Sequence, residues 1–235
     1  MKKWIGIILI SCFSFSVMSQ IAVNQNYPKF DKKWFHFGFG LGINMASFNH
    51  RLKLDPTFSD SLQNLKISYK PGFYLGVISS FKIHTTLRIR IIPSLSFYER
   101  SMSYDFIDIA GNITNKENIS KSTSLEFPLL LKWRTFRVKN FAAYVVGGAQ
   151  YSLDLAAKED AQQNLLKPIV KTRKHDIQGT IGLGVDFFMP YFKFGIELRY
   201  AHSMRNILFQ ENFYLDRPID KLYAKSWLIA FTFEG

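Results

Sequence analysis

His175-Asp176 and His202-Ser203 hold the residue types of hydrolytic chemistry: a hydroxyl nucleophile, imidazole bases and a carboxylate that could orient one of them. His50 is a third histidine of the same kind. Neighbouring residues on a strand point to opposite faces, so His202 and Ser203 cannot both reach one site. Scattered histidines are ordinary surface residues unless hydrogen bonds join them, and no catalytic residue is assigned. Metal ligation is not expected either, because no two histidines stand at ligand spacing and Cys12 is the only cysteine. Gly38-Phe-Gly-Leu-Gly42 departs from the dinucleotide fingerprint G-x-G-x-x-G, since Ile43 falls on its third glycine, and no cofactor is expected.

A second set of chemical groups is regularly spaced. Arg88, Arg90, Arg100, Glu126, Lys132, Asp186, Lys193, Glu197, Arg199 and Glu234 each sit on a stretch where large apolar residues occupy the alternate positions. The pattern is plainest in Leu87 to Arg100, where Leu87, Ile89, Ile91, Leu95 and Phe97 alternate with Arg88, Arg90, Ser94, Ser96, Tyr98 and Arg100. A period of two means strands with one greasy and one polar face.

The elements that position these groups follow from counting such stretches. They are Trp34 to Met45, Tyr69 to Ile83, Leu87 to Arg100, Ser124 to Arg134, Phe141 to Leu153, Ile177 to Phe188, Phe192 to Tyr200 and Lys225 to Glu234, with only the facing of Phe141 to Leu153 ambiguous. Short connections at His84-Thr-Thr, Val138-Lys-Asn and Met189-Pro190 alternate strictly with long ones. This predicts an all-β fold: an eight-stranded antiparallel transmembrane β-barrel with short periplasmic turns and long external loops. Aromatic residues gather at the turn ends, among them Trp34, Phe35, Phe81, Trp133, Phe141, Phe187, Phe188, Phe192 and Phe233, as an interfacial girdle requires. A soluble barrel of lipocalin type would turn a face of glycine, serine and isolated charges outwards as its skin.

In a barrel of eight strands the interior is filled by side chains, so the charges are expected to pair within it. Arg88, Arg90, Glu126, Lys132, Asp186, Glu197 and Arg199 are read as a structural lumen charge network. Gly38, Gly40 and Gly42 are read as lumen space for bulky side chains from facing strands. In the long connections, Ala156 to Asn164 could form a helical turn, while Leu208-Phe209 and Phe213-Tyr214-Leu215 make an apolar patch that could contact a partner or fold over the mouth.

Residues 1–19 read as a signal peptide, with Lys2 and Lys3 ahead of an apolar run from Trp4 to Val17 and a cleavage site at Val17-Met18-Ser19. Leu9-Ile10-Ser11-Cys12 also fits a loose lipobox, leaving lipidation at Cys12 as the alternative to cleavage after Ser19. Residues 20–33 form a polar periplasmic lead-in and residues 34–235 the barrel. Beyond the signal no run approaches the roughly 18 apolar residues of a spanning helix. The net charge of +12 falls by two when Lys2 and Lys3 leave; in an exported chain it points to outer-membrane lipid and lipopolysaccharide rather than to nucleic acid.

Two strands carry a resemblance. Leu125-Glu-Phe-Pro-Leu-Leu-Leu-Lys-Trp133 and Glu197-Leu-Arg-Tyr-Ala-His-Ser-Met-Arg-Asn206 are similar to strands of the PorT family of outer-membrane barrels from Bacteroidetes, and Pro128, awkward in a closed sheet, strengthens the likeness. The resemblance implies a non-enzymatic component required for protein export by the type IX secretion system. Surface or secreted proteases and adhesins would be its cargo, and other secretion-system proteins its partners. The readings from another class are a rim enzyme acting on lipid A or peptides and a structural or adhesive barrel.

Overall fold

The computed structural model describes residues 26–52, 62–107, 113–155, 172–209 and 219–235, with side chains for all of these but 52, 62–67 and 100–120. The signal segment lies outside the described residues. Among the described residues a 3-10 turn, Phe30–Lys32, precedes nine strands: β1 (Phe35–Leu52), β2 (Leu62–Lys82), β3 (Leu87–Ile91), β4 (Ser94–Ile107), β5 (Ile113–Arg134), β6 (Phe141–Asp154), β7 (His175–Phe188), β8 (Lys193–Ser203) and β9 (Ile219–Glu234). All pairings are antiparallel, and because β1 pairs with both β2 and β9 the sheet closes on itself without a free edge.

Nine strands make eight staves. β3 and β4 lie in line, both pairing with β2 and β5, and are divided at Ile92-Pro93. The division has a chemical cause. Ile92 N donates to Pro128 O at 3.2 Å, but Pro128 has no N–H to return the bond; on the other flank Val77 N donates to Pro93 O at 2.9 Å, and Pro93 likewise returns nothing. Each proline halves one hydrogen-bonded pair at the same point of the wall.

The burial pattern is inverted relative to a soluble protein. On β1, Phe37, Phe39, Leu41, Ile43 and Met45 are exposed, whereas His36 and Asn44 on the other face are buried. From Phe35 to Met45 the ridge runs roughly 33 Å along the strand. At a tilt of about 40° this gives roughly 25 Å of height, the depth of an outer-membrane apolar band. Trp34, Phe35 and Phe81 touch at the turn end, with ring centroids 5.1 to 6.1 Å apart. Phe188 departs from the expected girdle: it points inwards and is buried.

Two of the long connections prove to be largely strand. β1 and β2 extend to leave only residues 53–61 between them, and β4 and β5 leave only 108–112, because polar residues such as those of Ile113–Arg134 can carry a ladder above the bilayer as well as within it. The tentative turn at Ala156 to Asn164 and the patch at Phe213 to Leu215 lie outside the described residues. Leu208 does fold back over the mouth: it is buried, bridges to Thr172, and receives support from Asn206, whose Oδ1 accepts from Leu208 N at 3.1 Å and Leu222 N at 2.9 Å.

The glycines of β1 serve two purposes rather than one. Gly40 pairs with Gly76, and the gap is filled by Tyr74 and Ile78 of the neighbouring β2 rather than by facing strands; a Cβ on Gly40 would meet Tyr74 Cε1 at an ordinary 3.5 Å. A Cβ on Gly42 would instead lie 2.5 Å from the Ile229 carbonyl oxygen, so there the backbones of β1 and β9 approach too closely for a side chain. Gly42→Val is therefore expected to destabilise the barrel by about 1–3 kcal/mol, while Gly40→Ala is tolerated. Heat-modifiable gel mobility checks this: a shifted band surviving in both variants contradicts it.

Candidate functional site

The lumen is built in tiers. Nearest the turn end, the segment before β1 closes the mouth. Phe30 is fully buried, stacks on His36 with centroids 3.7 Å apart, meets the edge of Phe188 at 5.6 Å, and lies under Arg88 at 5.0 Å and Lys193 at 4.7 Å. Its neighbour Asp31 accepts from Arg134 at 2.7 Å and stands 3.5 Å from Arg88 and 3.9 Å from Arg137. Lys82 Nζ donates to the Asp31 carbonyl at 2.6 Å, and Arg137 donates to the Asn26 carbonyl. The polar lead-in of the sequence is thus a plug. Phe30 alone among Lys29-Phe-Asp-Lys-Lys33 was the available signal: a single large apolar residue in a charged run at the barrel threshold.

Above the plug runs the ion-pair tier. Lys132 donates to Asp186 at 2.8 and 3.0 Å, and Lys193 lies 3.4 Å from Asp186 and 2.8 Å from Glu234. Arg90 donates to Glu197 at 2.5 Å and reaches towards Glu234 at 3.7 Å. Glu197 also stands 2.8 Å from Arg199 Nε as an ion pair and accepts from the Tyr144 hydroxyl at 2.7 Å. Arg199 in turn donates to the Tyr74 hydroxyl at 2.9 Å, so the glycine gap of β1 and β2 indirectly holds a charge in register. Each of these side chains is almost wholly buried. Carboxylates alternate with cations, which offsets the several kcal/mol that burying each ion would otherwise cost.

The ambiguous stretch Phe141 to Leu153 is now settled. Ala142, Tyr144 and Val146 face inwards, which brings Tyr144 to Glu197 and places Lys132 Nζ 3.5 Å above the Tyr144 ring. An apolar tier of Tyr74, Ile78, Ile92, Leu130 and Ala230 accompanies the charges. Glu126 belongs to neither group: it lies higher, accepting from Ser96 at 2.9 Å and Tyr98 at 2.5 Å. Of the predicted network, Arg90, Lys132, Asp186, Glu197 and Arg199 share one cluster with Lys193 and Glu234, Arg88 joins the plug, and Glu126 forms a separate hydroxyl-bonded site. The side chain of Arg100 lies outside the described residues.

The loop half of the lumen is polar. Among the described residues one small pocket there, about 270 Å³ when counted out into open solvent, is lined by Asn44, Ser96, Tyr98, Glu126, Gln150, Thr180 and Arg199 among others. A second of about 330 Å³, counted out to its mouth, is lined by Ser124, Ser152, Asp176, Gln178 and Phe48 among others.

At this rim the hydrolytic residue types separate. Ser203 Oγ donates to Asp176 Oδ2 at 2.5 Å, and the same oxygen accepts from Gln178 at 2.8 Å. Ser203 also accepts from Ala224 N at 3.0 Å, so its hydroxyl is used on both sides. His175 and His202 are on the opposite face of the wall. His175 Nδ1 shares a hydrogen bond with the Tyr151 hydroxyl at 2.6 Å, and His202 lies between the rings of Tyr200 and Tyr223, 6.3 and 5.9 Å away. His50 pairs with Leu222 at the loop end of β1. Leu222 is buried, so His50 is on the lumen face, but among the described residues no hydrogen bond joins it to Ser203 or Asp176.

A model of the outer membrane protein beta-barrel domain matches residues 15–208, most of the chain. The chain belongs to the outer membrane protein β-barrel domain family. Its place is accordingly the outer membrane, which it crosses with strands; no helix among the described residues is long and apolar enough to do so. Among solved structures it is similar to OprG from Pseudomonas aeruginosa, at 14% identity and a TM-score of 0.43, with 86% of this chain and 95% of that one covered. Neisserial surface protein A is similar at 9% identity and a TM-score of 0.42, covering 85% and 96%. The outer membrane protease OmpT from Escherichia coli is similar at 9% identity and a TM-score of 0.41, covering 85% and 95%. No curated protein matches the sequence.

Proposed function

We propose that this β-barrel family member is a non-enzymatic outer-membrane component required for protein export by the type IX secretion system. In this reading it acts as a closed platform whose loops and rims contact other secretion-system proteins while outer-membrane lipid and lipopolysaccharide surround its wall. The resemblance of Leu125 to Trp133 and Glu197 to Asn206 to the PorT family supplies the pathway. The observation that carries the platform reading is the filled lumen: with Phe30 seated in one mouth and Arg90, Glu197, Lys132 and Asp186 packed above it, no passage is left for a polypeptide. A non-enzymatic role agrees with the rim, where the Ser203 hydroxyl is taken up by Asp176 and Ala224 N and, among the described residues, no imidazole is hydrogen-bonded to either side chain.

The test compares secreted proteins in the parent strain, a deletion strain, and deletion strains complemented with wild-type or Ser203→Ala protein. Loss of the secreted proteases and adhesins on deletion, restored by both complements, is the expected result. An unchanged secretome defeats the secretion role, and altered surface binding with normal secretion points to an adhesive barrel. Changed lipid A or peptide processing that wild type but not Ser203→Ala restores would make the rim an enzyme.

A further inference from the structure

The outer wall at the loop end carries charges that do not follow the pairing rule of the lumen. Arg51 and Lys221 stand directly opposite each other on β1 and β9, and both are exposed. Like charges directly opposed across an antiparallel pair destabilise it, so this pair needs a counterion from outside the sheet. Lys225 stands four residues further along β9, between Ser47 of β1 and His202 of β8, with its ammonium 5.5 Å from the Tyr69 ring. Asp220, beside Lys221, forms no ion pair with any of these three, and among the described residues no other carboxylate does.

Height on the wall narrows the ligand. The apolar ridge ends where Met45 pairs with Trp227. Lys225 is two residues beyond Trp227 and Lys221 six, which at about 3.3 Å per residue and a tilt of about 40° places them roughly 5 and 15 Å above the apolar band. Phospholipid headgroups extend only about 5–8 Å beyond the hydrocarbon and so reach the lower tier alone. A glycolipid with acidic groups on its sugars spans both tiers.

We propose that the outer face of β8, β9 and β1 binds the phosphorylated saccharide headgroup of an outer-leaflet lipopolysaccharide. Lys225 takes a phosphate near the acyl chains, and Arg51 and Lys221 take acidic groups further out on the saccharide. The Tyr200–Trp227 ring pair, centroids 4.7 Å apart, packs beneath them at the acyl boundary. This site rests on outer-membrane placement and is independent of the secretion role.

The refolded full-length barrel in non-ionic detergent is titrated by native mass spectrometry with three probes: core-bearing lipopolysaccharide, bisphosphorylated lipid A, and dephosphorylated lipid A. Wild type is expected to bind the two phosphorylated probes at least tenfold tighter than the dephosphorylated one and to prefer the core-bearing probe. Lys225→Gln should lose most of the first preference, and Arg51→Gln with Lys221→Gln only the second. Heat-modifiable mobility reports folding; should Lys225→Gln fail it, the exposed Arg51→Gln/Lys221→Gln variant carries the test. Equal binding of all three probes, or variants identical to wild type, overturns the proposal, as does full displacement by millimolar inorganic phosphate, which would mark a free-anion site.

Discussion

Replacing Glu197 with alanine is expected to destabilise the barrel by about 3–5 kcal/mol, because it leaves buried cations without their counter-charge. Glu197 is the carboxylate that Arg90 approaches at 2.5 Å and Arg199 at 2.8 Å, and it accepts the Tyr144 hydroxyl as well. Without it, among the described residues, Arg90 keeps only Glu234 at 3.7 Å and Arg199 only the Tyr74 hydroxyl. Neither guanidinium can shed its proton, and both are buried in the packed lumen. Glu197→Gln, which retains an acceptor for Tyr144 but no charge, should fall between alanine and wild type. Urea unfolding of the refolded barrel in detergent measures the series, with Lys221→Ala on the exposed rim as the control expected within about 0.5 kcal/mol of wild type. Equal midpoints for Glu197→Ala and the control would mean that the lumen charges are hydrated and individually dispensable.

The second large effect is local. Phe30→Ala removes a fully buried ring held between His36 and Phe188, a loss of about 3–5 kcal/mol for a well-packed phenylalanine. The plug is a short segment attached to β1, so the loss should appear as undocking of residues 26–33 rather than as unfolding of the sheet. Amide hydrogen exchange is expected to rise sharply in that segment and little in β1 to β9. Asp31→Ala should act in the same direction, since Arg88, Arg134 and Arg137 converge on that carboxylate. Exchange that stays at wild-type level in both variants would show that the closure does not depend on these contacts.

Much of this architecture was legible because a strand's period of two records the inside and outside of a barrel directly. Arg88 and Arg90 between Leu87, Ile89 and Ile91 already specify which residues meet lipid. Which charge pairs with which was not legible: Arg90 and Glu197 are 107 positions apart, and their meeting depends on how staves are staggered round the barrel, a quantity no local pattern carries. The plug escaped notice for a related reason. Residues 26–33 have no periodicity, and their fit depends on Phe188, Arg134 and Arg137 arriving from distant turns. Lengths of the outer connections were overestimated because above the bilayer a ladder persists without alternation of polarity, so periodicity stops marking strands there. Glycine spacing was read correctly as an absence of side chains, but only the backbone separation distinguishes Gly40, which leaves room for Tyr74, from Gly42, which lets β1 and β9 approach.

The Asp176–Ser203 contact shows the limit of residue types as a guide to chemistry. His175-Asp176 and His202-Ser203 are paired in sequence, and the same alternation that builds the barrel places the acid and hydroxyl inside and both imidazoles outside. The hydroxyl then serves the backbone of β9 through Ala224 N, a structural duty.

The claim that the barrel works with its lumen shut is tested most directly by electrical recording of the purified protein in planar bilayers. With Phe30 seated and the Arg90–Glu197 and Lys132–Asp186 pairs in place, no steady conductance is predicted for wild type. A persistent open channel in the wild-type protein would contradict the account.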